Sequence, residues 1–302
     1  WYDSGAMPFA QFHYPFENKD IFEKRFPADF IAEGKDQTRG WFYSLLAISC
    51  GLFGKAPFKT CISNGMILDE KGVKMSKSLG NYVDPMVYLR KYGADAIRFN
   101  FYSTTQPYND AGFTEQALQE VQRTFLNTLY NTYAFYVLYA DIDKFDPSIV
   151  SLKDVNLNVM DKWILSKFTT MLDEVQKLLD NYDATTASRT IKEFCNILSN
   201  WYIRRCRKRY WVSDFSDNKK AAYATLYYVL SNLAKVCAPF TPFIAEEIYQ
   251  NIERPFFSDA KESVHLCSYP KCDYSYVNKE LEEQMDSAVT YCELGRSART
   301  LS

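Results

Sequence analysis

The hydrophobic and polar positions divide the chain into a mixed α/β part, about residues 1–101, and a helical part after it. In the first part, residues 28–32 form a short apolar run bounded by proline and glycine, which predicts a buried strand. Residues 60–68 predict a second strand, which ends at a turn over residues 69–72. Strands that alternate with helices predict an α/β fold for this part.

The spacing between these strands predicts one helix, which follows Asp36 and runs through Trp41 and Leu45 to Leu52. Asp36 is the expected N-cap, because a carboxylate can accept hydrogen bonds from the first free amides of a helix. Gly54 is the expected stop, since glycine readily adopts the left-handed conformation that ends a helix. A further helix is expected from Asp84-Pro85, where a capping acid precedes a proline.

From Phe113 onward the apolar period is helical. Its first stripe consists of Leu118, Val121, Phe125, Leu129 and Tyr133, at spacings of three and four residues. An irregular segment around Pro147 predicts a linker over residues 141–158. After it, an α-bundle is expected, with helices over residues 159–179, 184–211, 217–237, 242–252 and from 278 onward, and a short extended connection over residues 263–269.

Composition adds three expectations. The 302 residues suggest about two domains, and a net charge of -2 means that any nucleic-acid contact must come from a local basic patch. The eight cysteines include no C-x-x-C pair, so we expect reduced thiols in a cytoplasmic protein and no protein-bound metal. No apolar run is long enough to cross a bilayer, so no membrane contact is expected.

The segment Gly72–Ser78 is the first candidate for chemistry. Lys74 and Lys77 lie three residues apart on a loop that directly follows a strand and a turn. Two ammonium groups suit the negative charge that builds up on a leaving pyrophosphate. The alternative is a solvated loop without a ligand. The order K-M-S-K-S, which includes Ser76, resembles the second signature of the class I aminoacyl-tRNA synthetases, whose lysines act on ATP.

The second candidate is Glu33–Phe42, where the predicted strand gives way to the helix. In open α/β sheets, ligands bind at such strand ends. Glu33 and Asp36 can accept hydrogen bonds, and Gly34 lets a ligand approach the backbone. The alternative is that Asp36 only caps the helix and Glu33 is merely exposed. The stretch resembles a motif of isoleucyl-tRNA synthetases. The resemblance implies that Glu33 contacts isoleucyl-adenylate, while Gly34, Asp36 and Gln37 surround its adenosine.

Trp1 and Trp41 are the candidates for contact with the amino-acid side chain. The segment Trp1–Pro8 resembles the one on which these enzymes re-enter the catalytic fold after their editing domain. The resemblance implies that both indoles flank the isoleucine side chain, a branched group that offers only burial and dispersion to a pocket. Ordinary core packing is the alternative for each tryptophan.

The third candidate is the helical stretch Asn200–Trp211, which combines a basic cluster with aromatic residues. Such a cluster can bind phosphates and stack on unpaired bases. A solvated face or intramolecular ion pairs are the alternative. The stretch looks like the helix that opens the anticodon-binding bundle of the family, which implies contact with nucleic acid for Arg204, Arg205, Arg207, Lys208 and Arg209.

The resemblance covers nearly the whole chain and implies three parts. Residues 1–101 would be the C-terminal half of a Rossmann-type catalytic domain, residues 102–154 the connecting stem-contact helices, and residues 155–302 the all-α anticodon-binding domain. The implied parent enzyme is a cytoplasmic monomer that joins isoleucine to its tRNA, with ATP and Mg²⁺ as substrate. A tRNA-binding module without catalysis and a valyl- or leucyl-tRNA synthetase relative are the alternatives.

The HIGH signature and the editing insertion of the family do not occur among these residues, so we expect an internal part of a longer enzyme. We predict that these 302 residues alone do not activate isoleucine, because the HIGH signature, the family's other ATP-binding motif, does not occur among them. Isoleucine-dependent ATP–pyrophosphate exchange by the purified chain measures this. A signal well above background would contradict the prediction.

Overall fold

The computed structural model describes residues 1–81 and 84–301. The chain forms two compact units. We call Trp1–Val83 with Thr104–Thr114 the sheet unit, and Asp84–Ser103 with Glu115–Ser302 the helical unit. The domain boundaries that the sequence predicts at residues 101 and 154 stay predictions.

The sheet unit contains two small parallel sheets among short helices. β1 pairs with β2 and places Glu33 opposite Ser63 at their carboxyl ends, while β3 pairs with β4. The elements in chain order are α1 (Tyr2–Ala10), α2 (Lys19–Arg25), β1 (Ala28–Gly34), a 3₁₀ turn (Lys35–Arg39), α3 (Trp41–Phe53), β2 (Phe58–Asn64), β3 (Ile67–Leu68), a 3₁₀ turn (Lys77–Leu79) and β4 (Ala111–Gly112).

A small apolar core explains why β1 and α3 lie together. Ile31, from the middle of β1, packs with Phe42 and Leu45 of α3, and all three are buried. Trp41 and Phe58 pack against this cluster from its edge. The predicted strand over residues 28–32 and the predicted end of α3 at Gly54, which adopts a positive φ, are both confirmed.

Two local predictions in this unit are wrong. Asp36 does not cap α3, because a 3₁₀ turn separates it from the helix, whose N-cap position is Gly40. The expected strand over residues 60–68 is interrupted at Gly65, whose N–H donates to the Pro107 carbonyl at 2.7 Å. A Cβ at Gly65 would lie 2.1 Å from the Asn109 carbonyl oxygen, so the approach of these two segments requires glycine.

The helical unit follows the predicted pattern closely. The stripe of the five residues Leu118 to Tyr133 is buried, and the Asp84 carboxylate accepts from the Met86 N–H at 2.9 Å at the start of α4. Its helices are α4 (Pro85–Thr104), α5 (Glu115–Val121), α6 (Asn127–Asp143), α7 (Val159–Asp180), α8 (Ala184–Ile197), α9 (Arg204–Trp211), α10 (Asp217–Cys237), α11 (Pro242–Ile252) and α12 (Lys279–Leu301).

Three short segments modify this pattern. The π-helical turns Gln122–Leu126 and Leu198–Ile203 join α5 to α6 and α8 to α9 without a break in the helical path. The predicted extended connection over residues 263–269 contains a 3₁₀ turn, Val264–Leu266, because the Ser263 hydroxyl accepts from the His265 N–H. In the part of the chain that the structure covers, no helix has the length and hydropathy of a membrane span.

Candidate functional site

The carboxyl ends of β1 and β2 form the floor of the candidate site. Glu33 and Gly34 end β1, and they lie opposite Ser63 and Asn64 of β2. The Glu33 side chain is exposed, and no residue that the structure describes pairs with its carboxylate. A carboxylate that projects from a strand end without an internal partner is free to bind a ligand.

The 3₁₀ turn after β1 brings Asp36 and Gln37 next to the start of α3. The Gln37 side-chain oxygen accepts from the Trp41 backbone N–H at 2.9 Å, so Gln37 performs the capping that the sequence assigned to Asp36. Its side-chain amide donates to Asp36 at 3.1 Å. A Cβ at Gly34 would lie 2.7 Å from the other Asp36 oxygen, which shows how closely this carboxylate approaches the backbone.

Asp110 joins the two candidate motifs of the sheet unit. Its carboxylate accepts from the Lys35 ammonium group at 2.7 and 3.0 Å and from the Met66 N–H at 2.7 Å. Lys35 directly follows β1, and Met66 directly precedes β3. This strand leads into the segment Gly72–Ser78, which we call the lysine loop. The ammonium group of Lys35, followed by the Met66 N–H, lowers the pKa of Asp110. The acidic strand end and the base of the lysine loop are thereby held at one point.

The lysine loop is a short hairpin on β3. Lys74 bridges back to Leu68 in antiparallel fashion, and its side chain is exposed. Within the described residues, no carboxylate forms an ion pair with the Lys74 ammonium group. Ser76 is half-buried, and its hydroxyl lies 2.7 Å from that of Ser78. The side chain of Lys77 lies outside the described part of the structure.

Both candidate tryptophans lie at the start of α3. The Trp41 indole N–H donates to the Ser4 carbonyl at 3.0 Å, so it also fastens α1 to α3. The Trp1 ring lies against Gly40, where a Cβ would be 3.1 Å from the ring edge, and 78% of Trp1 is exposed. Trp41 therefore has a packing role as well, whereas Trp1 presents a free aromatic surface beside it.

An apolar cavity of about 200 Å³ adjoins Trp41. It lies between α1, the start of β1 and α3, away from the carboxyl ends of the strands. Neither Glu33 nor Lys74 lines it. The residues that line it are Met7, Pro8, Gln11, Phe12, Arg25, Phe26, Ala28, Ile31, Trp41, Leu45 and Pro57.

In the helical unit, α9 presents most of the predicted basic cluster to solvent. Arg204, Arg205, Arg207 and Lys208 are all exposed. The Arg205 guanidinium lies over the Trp201 ring at 4.5 Å from its centroid, a cation–π contact that orders an otherwise mobile side chain. The exposed surface of α9 is therefore positively charged, and the half-buried Trp201 ring beneath Arg205 supports one of its cations.

Arg209 behaves differently from its neighbours. Its guanidinium donates to both oxygens of Asp161 on α7, at 2.6 and 2.8 Å, and its side chain is only 10% exposed. Tyr202 donates to the same carboxylate at 2.8 Å. Arg209 thus forms the intramolecular ion pair that the sequence left as an alternative, and it anchors α9 to α7.

Similarity to known proteins is found in both parts of the chain. The family described as "tRNA synthetases class I (I, L, M and V)" matches residues 1–113, and "Anticodon-binding domain of tRNA ligase" matches residues 161–301. The isoleucine–tRNA ligase of Clostridium novyi is 55% identical over 300 residues, which is 99% of this chain and 29% of that protein. The chain belongs to the isoleucyl-tRNA synthetase family.

Solved structures add the fold. A LeuRS of Agrobacterium radiobacter K84, in a ternary complex with tRNA, matches 91% of this chain and 33% of its own, with a TM-score of 0.68 and 20% identity. The methionyl-tRNA synthetase of Mycobacterium tuberculosis, bound to methionyl-adenylate, matches 86% of this chain and 53% of its own, with a TM-score of 0.62 and 19% identity. The chain therefore has a class I synthetase fold, and it spans less than a third of its curated isoleucyl relative.

The Lys35–Asp110 pair yields a pH prediction. Because Lys35 lowers the pKa of Asp110 in the folded state, the pair stabilises the sheet unit above the unfolded pKa of about 3.9, and this stabilisation is lost as pH falls through the lower folded value. NMR titration of the Asp110 carboxyl measures the shift. We expect Lys35→Gln to return the pKa toward its ordinary value and Lys59→Gln, a control at the Asp29 pair, to leave it low. An ordinary Asp110 pKa in the unmodified chain would contradict the pairing.

Proposed function

We propose that this chain is part of an isoleucine–tRNA ligase and supplies three of its working parts. The proposed first part, residues 1–101, is the C-terminal half of the Rossmann-type catalytic domain. Residues 102–154 would be the stem-contact helices, and residues 155–302 the anticodon-binding bundle. The whole protein would activate isoleucine with ATP and Mg²⁺ as substrate, and then transfer the isoleucyl group to its tRNA.

The observation that carries this proposal is the double role of Asp110. By binding both Lys35 and the Met66 N–H, it fixes the Glu33 strand end and the hairpin of Lys74 to the same edge of the sheet unit. Opposite charges on two motifs that are anchored together suit a ligand with a cationic amine at one end and a polyphosphate at the other. An amino acid that reacts with ATP has this distribution of charge.

The proposed chemistry needs position and charge rather than a covalent enzyme intermediate. The isoleucine carboxylate attacks the α-phosphate, a new bond forms between its oxygen and that phosphorus, and the bond from the α-phosphorus to the bridging oxygen breaks. The electron pair leaves on pyrophosphate. Lys74, together with Lys77, would stabilise the charge that develops there, and Glu33 would hold the substrate amine. Trp1 and Trp41 would bound the aliphatic side chain.

Amino-acid activation is tested in the whole protein by isoleucine-dependent ATP–pyrophosphate exchange. We expect exchange with isoleucine to exceed that with leucine, and Lys74→Met to lower kcat by roughly 10²–10³, the usual cost of one donor to a developing charge. Lys19→Met, an exposed lysine on α2, is the matched control and should keep the original rate. Equal rates for Lys74→Met and the control would refute the assigned role of the loop.

For the helical unit we propose a tRNA contact through the exposed side chains of α9. Arg204, Arg205, Arg207 and Lys208 would bind phosphates and an exposed base, while Arg209 keeps α9 in place through Asp161. Binding that rests on phosphate contacts releases counterions and weakens steeply with salt. If the whole protein bound tRNA without any exchange activity, the non-catalytic binding module would be the better description.

The tRNA contact is tested by affinity as a function of salt. We expect Arg204→Glu with Lys208→Glu to weaken binding of isoleucine tRNA and to reduce the slope of log affinity against log salt by about one per lost contact. The control is Lys144→Glu with Lys177→Glu, which reverses two exposed charges elsewhere in the helical unit. A similar loss in both double variants would indicate a diffuse field effect and would count against a site on α9.

A further inference from the structure

The hairpin that carries the candidate lysines is closed at its base by two polar side chains that the proposed chemistry does not use. Asp69 precedes the lysine loop and Asn81 follows it, twelve residues later. The Asn81 side-chain amide donates to the Asp69 carboxylate at 2.9 Å. This contact joins the two ends of the loop through side chains rather than through a strand ladder.

Asp69 organises the first half of the hairpin. One carboxylate oxygen accepts from the Lys71 and Val73 N–H groups at 2.9 and 2.8 Å, and the other accepts from Asn81. The Asp69 N–H donates to the Val73 carbonyl at 2.9 Å. The Asn81 contact, followed by that of Val73, lowers the pKa of Asp69, as expected for a carboxylate that accepts several hydrogen bonds.

Asn81 organises the second half. Its side-chain oxygen accepts from the Ser76 N–H at 2.8 Å, and its amide group also donates to the Lys74 carbonyl at 3.2 Å. Asn81 therefore binds the backbone on both sides of Met75, within the K-M-S-K-S sequence. A tight turn at Asp69 would need only the bonds to Lys71 and Val73. The additional bonds of Asn81 fix the course of the loop itself.

A loop with two ammonium groups needs such a restraint. The Lys74 ammonium group has no ion-pair partner among the residues that the structure describes, so no contact of its own side chain holds it in place. The bonds of Asn81 to the Lys74 carbonyl and to the Ser76 N–H therefore restrain the backbone that carries Lys74.

We propose that Asp69 and Asn81 are positioning residues for the proposed reaction: their contact holds the lysine loop in the form from which Lys74 reaches the leaving pyrophosphate. This inference rests on the proposed function, because it assigns a role in isoleucine activation. The two residues touch neither substrate. Their effect is transmitted through the backbone of Lys74 and Ser76.

The test exchanges the donor and the acceptor of the hydrogen bond between the Asn81 amide group and the Asp69 carboxylate. In Asp69→Asn, the new amide group either faces the amide group of Asn81 or turns toward the Lys71 and Val73 N–H groups, so hydrogen bonds are lost in both orientations. In Asn81→Asp, two carboxylates face each other. The double variant, Asp69→Asn with Asn81→Asp, restores one donor and one acceptor across the contact. Only the bond from Asn81 to the Lys74 carbonyl stays lost, so rescue should be substantial and incomplete.

The readout is ATP–pyrophosphate exchange by the whole protein, with kcat and KM measured separately. We expect each single variant to lower kcat by about 10–100-fold, the scale of a displacement of roughly 1 Å at a catalytic group. The KM for isoleucine should stay unchanged, since the amino acid binds at the strand end. The double variant should recover most of the lost kcat. Glu70→Gln, on the same turn, is the control and should match the original protein.

Three results separate the possible failures. Single variants with the original kcat would overturn the positioning role. So would a double variant whose fold-loss of kcat equals the product of the two single fold-losses. A protein that shows no isoleucine-dependent exchange before any substitution would refute the proposed function instead. In the isolated 302-residue chain, hydrogen exchange at the Ser76 amide provides a second measurement that requires no enzymatic activity. We expect faster exchange there in Asn81→Ala, and unchanged exchange would contradict the contact.

Discussion

The hydrogen bonds of the Asp110 carboxylate are the constraint on which the candidate catalytic site depends. One side chain binds the ammonium group of Lys35 and the N–H of Met66, and these residues belong to different motifs. The strand β1 delivers Glu33 to the edge of the sheet, and the segment after β2 delivers the lysine hairpin. Each motif has its own local structure, and the Asp110 side chain reinforces the link that the pairing of β1 with β2 already provides between them.

The sequence predicted the elements whose formation depends on local pattern. The stripe from Leu118 to Tyr133 is buried as expected, and α10 and α11 have the predicted bounds, because helical periodicity and caps act within a few residues. The strand at residues 28–34 formed for the same reason: a short apolar run between breakers has few other structures available.

The sequence pattern did not predict contacts between residues that are far apart in the chain. Lys35 and Asp110 are 75 residues apart, and no periodicity relates them. Gly65 interrupts the expected strand because another segment approaches its backbone, which the apolar pattern does not record. At α3, a 3₁₀ turn moved the cap from Asp36 to Gln37, since a side chain that reaches forward four residues can replace the residue next to the helix.

The basic stretch of α9 shows the same limit for charge. The five cationic residues of the segment 204–209 look equivalent in the sequence, yet Arg209 packs against Asp161, 48 residues earlier, while the other four face solvent. The charge pattern predicted the basic surface of α9, but it did not distinguish Arg209, which holds α9 against α7, from the exposed cations. That separation depends on where α7 packs, which is a property of the bundle.

The central claim is that the acidic strand end and the lysine loop bind one activated amino acid together. The most direct measurement is a structure of the whole protein with a non-hydrolysable isoleucyl-adenylate analogue and pyrophosphate. We predict that the amine of the analogue contacts Glu33 while the pyrophosphate lies against the loop of Lys74. A complex in which the ligand binds elsewhere and leaves Glu33 and Lys74 in separate, solvent-filled surroundings would contradict the account.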